Sequence, residues 1–385
     1  MRTTLLSLCL LLAGSTSAQT TIPGTIQSGG LTRDYLLYKP AAYTGNTPVP
    51  LVLNLHGYTS SNAAQLFYGD FRPIADTANF LIVLPNGTMD AQGNRFWNTF
   101  GTNSTVDDVA FISHLLDTLQ ATYNIDKQRI YSTGMSNGGF MSYSLACELN
   151  QRVTAIASVT GSMVQSKVIA CKPQRPVPVM EIHGTADATV PYSGAPVSGF
   201  ISIPTLVATW VTFNKCNSTP TITPVPNTNL TDGCTAERYL YSGGDKGSTV
   251  EHYKITGGGH TWPGAAFNVG VTNQDFNASK EIWRFFRQYR LSQLTDVNTP
   301  EDAAAEWSAF PNPAQDHFVL QSADPRPVQR IQIFDALGRL QQTLLPTEVG
   351  QIVVETAAWA AGVYVVVVEQ EGRAVGRVRV VKEGR

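Results

Sequence analysis

Three short apolar runs punctuate the first half of the chain: Leu51-Val52-Leu53-Asn54-Leu55, Arg129-Ile130-Tyr131-Ser132-Thr133 and Val177-Pro178-Val179-Met180-Glu181-Ile182. Each is too short for a helix and rich in aliphatic or β-branched residues, which predicts buried strands. Between and after them the apolar spacing changes to that of helices. Val109, Ile112, Leu115, Leu116 and Leu119 form one stripe, Phe140 to Leu149 carries a second, and Ile282, Phe285, Phe286 and Tyr289 form a third on the segment Ala278 to Tyr289. Strands alternating with helices predict a mostly parallel sheet covered by helices. Beyond a polar linker, from Ala309 on, the pattern becomes one of short strands: Phe318-Val319-Leu320, Ile331-Gln332-Ile333-Phe334, Gln351-Ile352-Val353-Val354, Val363 to Val368 and Val375 to Val381. That pattern predicts a small all-β sandwich.

The handover from the second predicted strand to its helix reads Gly134-Met135-Ser136-Asn137-Gly138. Glycines on both sides of a serine remove the Cβ atoms that would clash in a tight strand-to-helix turn, so the serine can sit in a strained conformation with its hydroxyl exposed. A serine needs a base to become a nucleophile, and the base needs an acid to fix its tautomer. With such an elbow the chain order is serine, acid, histidine. Asp187, in His183-Gly184-Thr185-Ala186-Asp187 at the carboxyl end of the third strand, is the expected acid; Asp232 and Asp245 are weaker rivals, and a turn-capping role is the plain alternative for Asp187. Of the six histidines, His260 alone follows Asp187 in a glycine-rich loop, Gly257-Gly258-Gly259-His260-Thr261-Trp262-Pro263-Gly264, and is the expected base. An oxyanion formed at Ser136 requires two donors. The amide of Asn137, at the start of its helix, is one; the amide of Tyr58, in the loop His56-Gly57-Tyr58 after the first strand, is the other.

These four segments together resemble secreted polyhydroxybutyrate depolymerases and feruloyl esterases, relatives of carbohydrate esterase family 1, over about residues 25 to 291. The resemblance implies an α/β-hydrolase fold, a Ser136, Asp187 and His260 triad, and no cofactor or metal. Trp97 and the pair Asp107-Asp108 are also familiar from that family. The two acids fit the first turn of a helix, where carboxylates favour the dipole. Trp97, Tyr192 and Trp262 are candidate substrate contacts, able to stack on a sugar or an aromatic acyl group, although tryptophan is as often simply a core residue.

The remaining features concern location. Met1-Arg2, the apolar run Leu5 to Ala13 and the small residues Ser15 to Ala18 read as a secretory signal that carries Cys9 with it. The four later cysteines, Cys147, Cys171, Cys216 and Cys234, fit no close-paired metal pattern and suggest disulfides; three connectivities are open, and sequential pairing is expected. Phe310-Pro311-Asn312-Pro313, Asp335-Ala336-Leu337-Gly338, Gly362-Val363-Tyr364 and the ending Val380-Val381-Lys382 resemble the C-terminal sorting domain of type IX secretion substrates; a polymer-binding module is the alternative. The net charge of −2 with dispersed basic residues favours neither nucleic acid nor an anionic membrane, and the valine run near Val365 is too short to span a bilayer.

The expected organisation is therefore a signal peptide over 1–18, an α/β-hydrolase esterase domain over 19–294, a linker over 295–308 and a β-sandwich sorting domain over 309–385. The expected activity is that of a secreted serine carboxylic-ester hydrolase working through an acyl-enzyme. Its substrates would be feruloylated or acetylated polysaccharide, or hydroxyalkanoate polymers and oligomers, and its partner the type IX secretion machinery. A serine peptidase, or a non-catalytic glycan-binding protein on the same fold, are the competing readings.

Overall fold

The computed structural model describes residues 19–100, 104–267, 269–295, 307–322, 328–336, 338–346, 351–370 and 373–384. The signal segment and most of the linker lie outside the described residues. The chain divides into two compact units, Met1–Thr295 and Asp296–Arg385.

The first unit begins with an antiparallel ribbon, β1 (Thr20–Ser28) and β2 (Leu31–Lys39), followed by β3 (Val49–Leu55), α1 (Asn62–Tyr68), α2 (Arg72–Ala78) and β4 (Leu81–Pro85). A two-stranded ribbon, β5 (Thr88–Met89) and β6 (Arg95–Phe96), precedes α3 (Asp108–Thr122), β7 (Ile125–Met135), α4 (Asn137–Glu148), β8 (Ala155–Val159), α5 (Gln165–Ala170) and β9 (Val179–Gly184). Then come α6 (Ile203–Phe213), the strands β10 (Thr221–Pro224), β11 (Thr235–Tyr241) and β12 (Val250–Thr256), and the helices α7 (Ala278–Phe286) and α8 (Leu291–Leu294). Ten strands form one sheet in the order β1-β2-β4-β3-β7-β8-β9-β12-β11-β10. From β4 to β12 every neighbouring pair is parallel, and antiparallel strands close both edges. This is the α/β-hydrolase arrangement.

The central strands are apolar on both faces because helices cover both: all of Val49–Leu55, Leu81–Pro85 and Ala155–Val159 are buried. Most of the predicted helical stripes are buried: Ile112, Leu115, Leu116 and Leu119 of α3 and Ile282, Phe285 and Phe286 of α7 have no exposure, whereas Val109 is half-buried and Tyr289, 6% exposed, lies just beyond the end of α7. Asp107 caps α3, accepting a hydrogen bond from Ala110 N at 2.8 Å. Asp108 does more than start the helix, for it forms a buried ion pair with Arg33 at 2.7 Å and accepts from Asn98 N at 2.8 Å.

The second unit holds two antiparallel sheets. One contains β13 (Trp307–Phe310), β14 (His317–Ser322) and β17 (Gln351–Glu355); the other contains β15 (Arg330–Asp335), β16 (Leu340–Leu344), β18 (Gly362–Gln370) and β19 (Arg373–Lys382). Alternate residues of both sheets, among them Phe318, Leu320, Ile331, Ile333, Val354, Val366, Val368 and Val380, meet in one core. The period-two pattern of the sequence is the inward half of this sandwich.

One expected disulfide is present and one is not. Cys147 and Cys171 are bonded, with Cα atoms 5.1 Å apart, tying α4 to the end of α5. Cys216 and Cys234 are free thiols. Cys234 immediately precedes β11, whereas Cys216 adjoins the far end of that strand, where Asn217 N donates to Ser242 O. Seven residues of extended chain put about 20 Å between them, against the roughly 7 Å that a disulfide tolerates.

Candidate active site

The sharp turn after β7 is built as the glycine pattern requires. Ser136 has φ 54° and ψ −120°, in the half of backbone space that side chains rarely enter. The turn can close only without flanking side chains. A Cβ on Gly134 would come within 2.6 Å of the Gly138 backbone and 2.7 Å of Leu55 O, and a Cβ on Gly138 would collide with Leu55 O. Ser136 N donates to Val159 O and Phe140 N donates to Ser136 O, which anchor the residue to β8 on one side and start α4 on the other.

Gly57 brings the loop after β3 alongside, near enough that a Cβ there would lie 3.5 Å from Ser136 Cβ. His56 holds this loop from beneath. Its buried ring donates Nδ1–H to Gly57 O at 2.7 Å and accepts Gly87 N–H on Nε2 at 2.9 Å, and burial lowers its pKa to about 4, so it stays neutral. Tyr58, next in the loop, has 45% exposure and hydrogen bonds Asp90 at 2.6 Å through its hydroxyl. The side chain of Asn137 clamps the neighbouring segment, accepting from Trp97 N at 2.6 Å and donating to Trp97 O and Thr99 Oγ1.

Asp187 and His260 meet because their loops are stitched together through the backbone. Thr185 N donates to Ile255 O and Ala186 N to Gly258 O, and Gly184 lies too close to the backbone of Gly258 and Gly259 to carry a Cβ. His260 Nδ1 then sits 2.7 Å from Asp187 Oδ2. Because a carboxylate only accepts, Nδ1 carries the proton and Nε2 is left as the basic nitrogen. The other carboxylate oxygen, Oδ1, accepts from the amides of Thr189 and Val190, each at 2.8 Å. Burial alone would raise the Asp187 pKa. Hydrogen bonds from His183 and His260 overcome it and hold the carboxyl well below the usual range.

Ser136 and His260 line one cavity of about 510 Å³, walled by Tyr58, Phe67, Tyr68, Phe267 and Val269. The sequence-expected substrate contacts lie elsewhere. Trp97 is fully buried, donating Nε1–H to His56 O at 3.0 Å and stacking near Phe111. Trp262 is 1% exposed, with its Nε1–H on Ser279 Oγ and its ring edge on Phe71. Both are core residues beneath the site, with no face left for a ligand. Tyr192 lines a different cavity and bonds His252 at 2.9 Å. The aromatic wall instead comes from Phe67 and Tyr68 on α1 and from Phe267, which is 51% exposed. Neither segment carries a motif; an amphipathic helix with an outward Phe beside the elbow was the only available signal. A second omission was Glu181, an acid inside an otherwise apolar strand, which is fully buried.

The sheet order, the elbow and the placement of the acid and histidine loops define an α/β hydrolase carrying an all-β tail. Residues 44–198 match the phospholipase/carboxylesterase family and residues 308–382 the secretion system C-terminal sorting domain. The tail marks the chain as a secreted one. Among curated relatives, the chain is 29% identical to a bifunctional acetylxylan esterase/xylanase of Neocallimastix patriciarum, over 68% of this chain and 34% of that protein. It is 27% identical to feruloyl esterase B of Piromyces equi, over 59% and 42% respectively, and 28% identical to feruloyl esterase C of Emericella nidulans, over 49% and 64%. The chain thus spans between a third and two thirds of the length of these relatives.

Proposed function

We propose that residues 19–294 form a serine carboxylic-ester hydrolase in which Ser136 is the nucleophile, His260 the general base and Asp187 the acid that orients it. The observation that carries this reading is the strained Ser136 opening onto the same cavity as His260, whose Nδ1 is 2.7 Å from Asp187 Oδ2. During attack on the ester carbonyl, the Ser136 hydroxyl proton passes to His260 Nε2. Asp187 stabilises the resulting imidazolium, and the tetrahedral oxyanion is held by the amides of Tyr58 and Asn137. His260 returns the proton to the departing alcohol, leaving an acyl-enzyme. Water then repeats the sequence and releases the acid.

The cavity wall is largely aromatic and aliphatic, which suits an apolar group of the ester beside the reacting carbonyl. The relatives, named as acetylxylan and feruloyl esterases, favour acyl esters of plant polysaccharide; hydroxyalkanoate oligomers fit the same chemistry. The 309–385 tail serves export through the type IX machinery.

The test is turnover of p-nitrophenyl acetate, methyl ferulate and hydroxybutyrate oligomers by the chain and by Ser136→Ala. The expected loss of kcat approaches about 10⁶-fold. Hydrolysis that survives the substitution, or a wild-type chain inactive on all three, would remove this reading and favour a binding protein on a hydrolase fold.

A further inference from the structure

Behind Asp187 lies a second histidine that no step above uses. His183, at the end of β9, is fully buried, and both its ring nitrogens face oxygen atoms. Nδ1 is 2.8 Å from Glu181 Oε1, while Nε2 is 2.8 Å from Val190 O and 3.3 Å from Asp187 Oδ2. A carbonyl and two ionised carboxylates only accept, and a neutral imidazole has one N–H and one lone pair. Either neutral tautomer would therefore point a lone pair at an acceptor in a site closed to bulk solvent. A ring protonated on both nitrogens satisfies all of them.

We propose that His183 is a positioning residue, held by Glu181, that stays protonated across the neutral pH range and whose charge keeps Asp187 ionised and its Oδ2 aimed at His260. The arrangement is a buried row of alternating charge running Glu181, His183, Asp187, His260. The proposal rests on the triad reading above and adds to it the source of the aspartate's orientation.

The surroundings support a cation at this one place. Glu181 also accepts from Tyr143 OH on α4 at 2.7 Å. Burial raises its pKa, with the hydrogen bond from His183 opposing that rise. For His183, burial acts to lower the pKa and is outweighed by the hydrogen bonds to Asp187 and Glu181, which raise it to about 9. On the adjoining strand β12, Lys254 pairs in register with His183. His252 there is the contrasting case: its Nδ1–H donates to Glu181 O at 3.0 Å, its Nε2 accepts from Tyr192 OH at 2.9 Å, and burial lowers its pKa to about 4. The Tyr192 ring stands edge-on to His183 with centroids 6.1 Å apart. One donor partner and one acceptor partner keep His252 neutral, where two sets of acceptors make His183 a cation.

The experiment has two arms on the full chain. In the first, ¹⁵N-histidine NMR at pH 6 to 8 should show both ring nitrogens of His183 protonated, with the signal assigned by its loss in His183→Gln or, should that variant not fold, by its displacement in Glu181→Gln. An unprotonated His183 nitrogen in this range overturns the proposal whatever the enzyme's activity. In the second, the pH dependence of kcat/KM is measured for both variants. Loss of the cation should move the acid limb to higher pH by about 1 unit, more in His183→Gln than in Glu181→Gln, and lower kcat about 10- to 100-fold with little change in KM. An acid limb at the wild-type pH, with any loss of rate tracking only a lower Tm, would make the row a packing feature. A wild-type chain without esterase activity sinks the triad reading instead and leaves the NMR arm standing.

Discussion

The two units of this chain bury strands of nearly the same character, yet only one concentrates reactive side chains. In the first, the strands from β4 to β12 run in one direction, so the loops after β3, β7, β9 and β12 all emerge along a single edge. His56-Gly57, Ser136, Asp187 and His260 are each the first or nearly the first residues past those strands. In the second unit the pairings between the described strands are antiparallel, beside one isolated parallel bridge between Ala314 and Lys382. Successive loops then alternate between the two ends, and the side-chain ion pairs, such as Arg330 with Glu369 and Arg339 with Asp335, lie on the surface. A parallel sheet gathers residues distant in sequence to one place. The antiparallel sandwich spreads them, which suits a unit that is recognised by its surface.

The largest effect that would sharpen this contrast, after loss of the serine itself, is expected at Asp187. Asp187→Asn keeps the size of the side chain but allows an amide N–H to face His260 Nδ1, so the imidazole is held in the wrong tautomer. The turnover of p-nitrophenyl acetate should fall about 10⁴-fold, far beyond any loss of folded protein read from Tm. A rate within tenfold of wild type would mean that the edge of the sheet does not work as a triad.

How much of this was legible in the sequence follows from the same geometry. Ser136, Asp187 and His260 stand out as candidates because each is announced locally: the elbow by glycines whose absent Cβ atoms are sterically required, the acid by the apolar strand before it, the histidine by the glycine loop that packs against Gly184. The fold was legible because strand and helix periods are local as well. What failed were inferences from residue size alone. Trp97 and Trp262 were candidates as large flat surfaces beside the motif, but a large flat surface is also what fills the space under a loop, and both went there. Phe67 and Phe267, which do line the cavity, sit in segments where nothing local distinguishes a wall residue from an exposed one. The Cys216–Cys234 pairing failed for a related reason: the two look close along the chain, but the fold sets them at opposite ends of β11. Glu181 was readable in principle, since a carboxylate within a buried strand must have a partner, and the partner stood two residues away.

A smaller effect, and one on stability rather than rate, is expected at the disulfide. Cys147 and Cys171 close a loop of sequence separation 24 in the first unit. Closing a loop of this size restricts the unfolded chain by about 3 kcal/mol. The double change Cys147→Ala with Cys171→Ala should therefore lower Tm by several degrees while leaving kcat/KM as it was, since α4 enters the site at its other end, through Asn137. A loss of turnover larger than the loss of folded protein would show that the bond also holds the elbow, and the division between support and chemistry in this unit would have to be redrawn.

The smallest expected effect tests the contrast most directly. Each unit has its own core: the second packs Phe318, Ile331, Ile333 and Val366 among its own strands, and the cavity holding Ser136 and His260 is lined wholly by residues of the first. A chain ending at Thr295 should hydrolyse small soluble esters with kcat and KM unchanged, while the same truncation in the native host abolishes appearance of the enzyme outside the cell. The two readouts separate the possibilities because they depend on different units. Normal export of the truncated chain, with turnover lost only on insoluble polymer, would make the tail a binding module. A fall in kcat on p-nitrophenyl acetate would show that the sandwich contributes to the site, and the antiparallel unit would no longer be free of the chemistry.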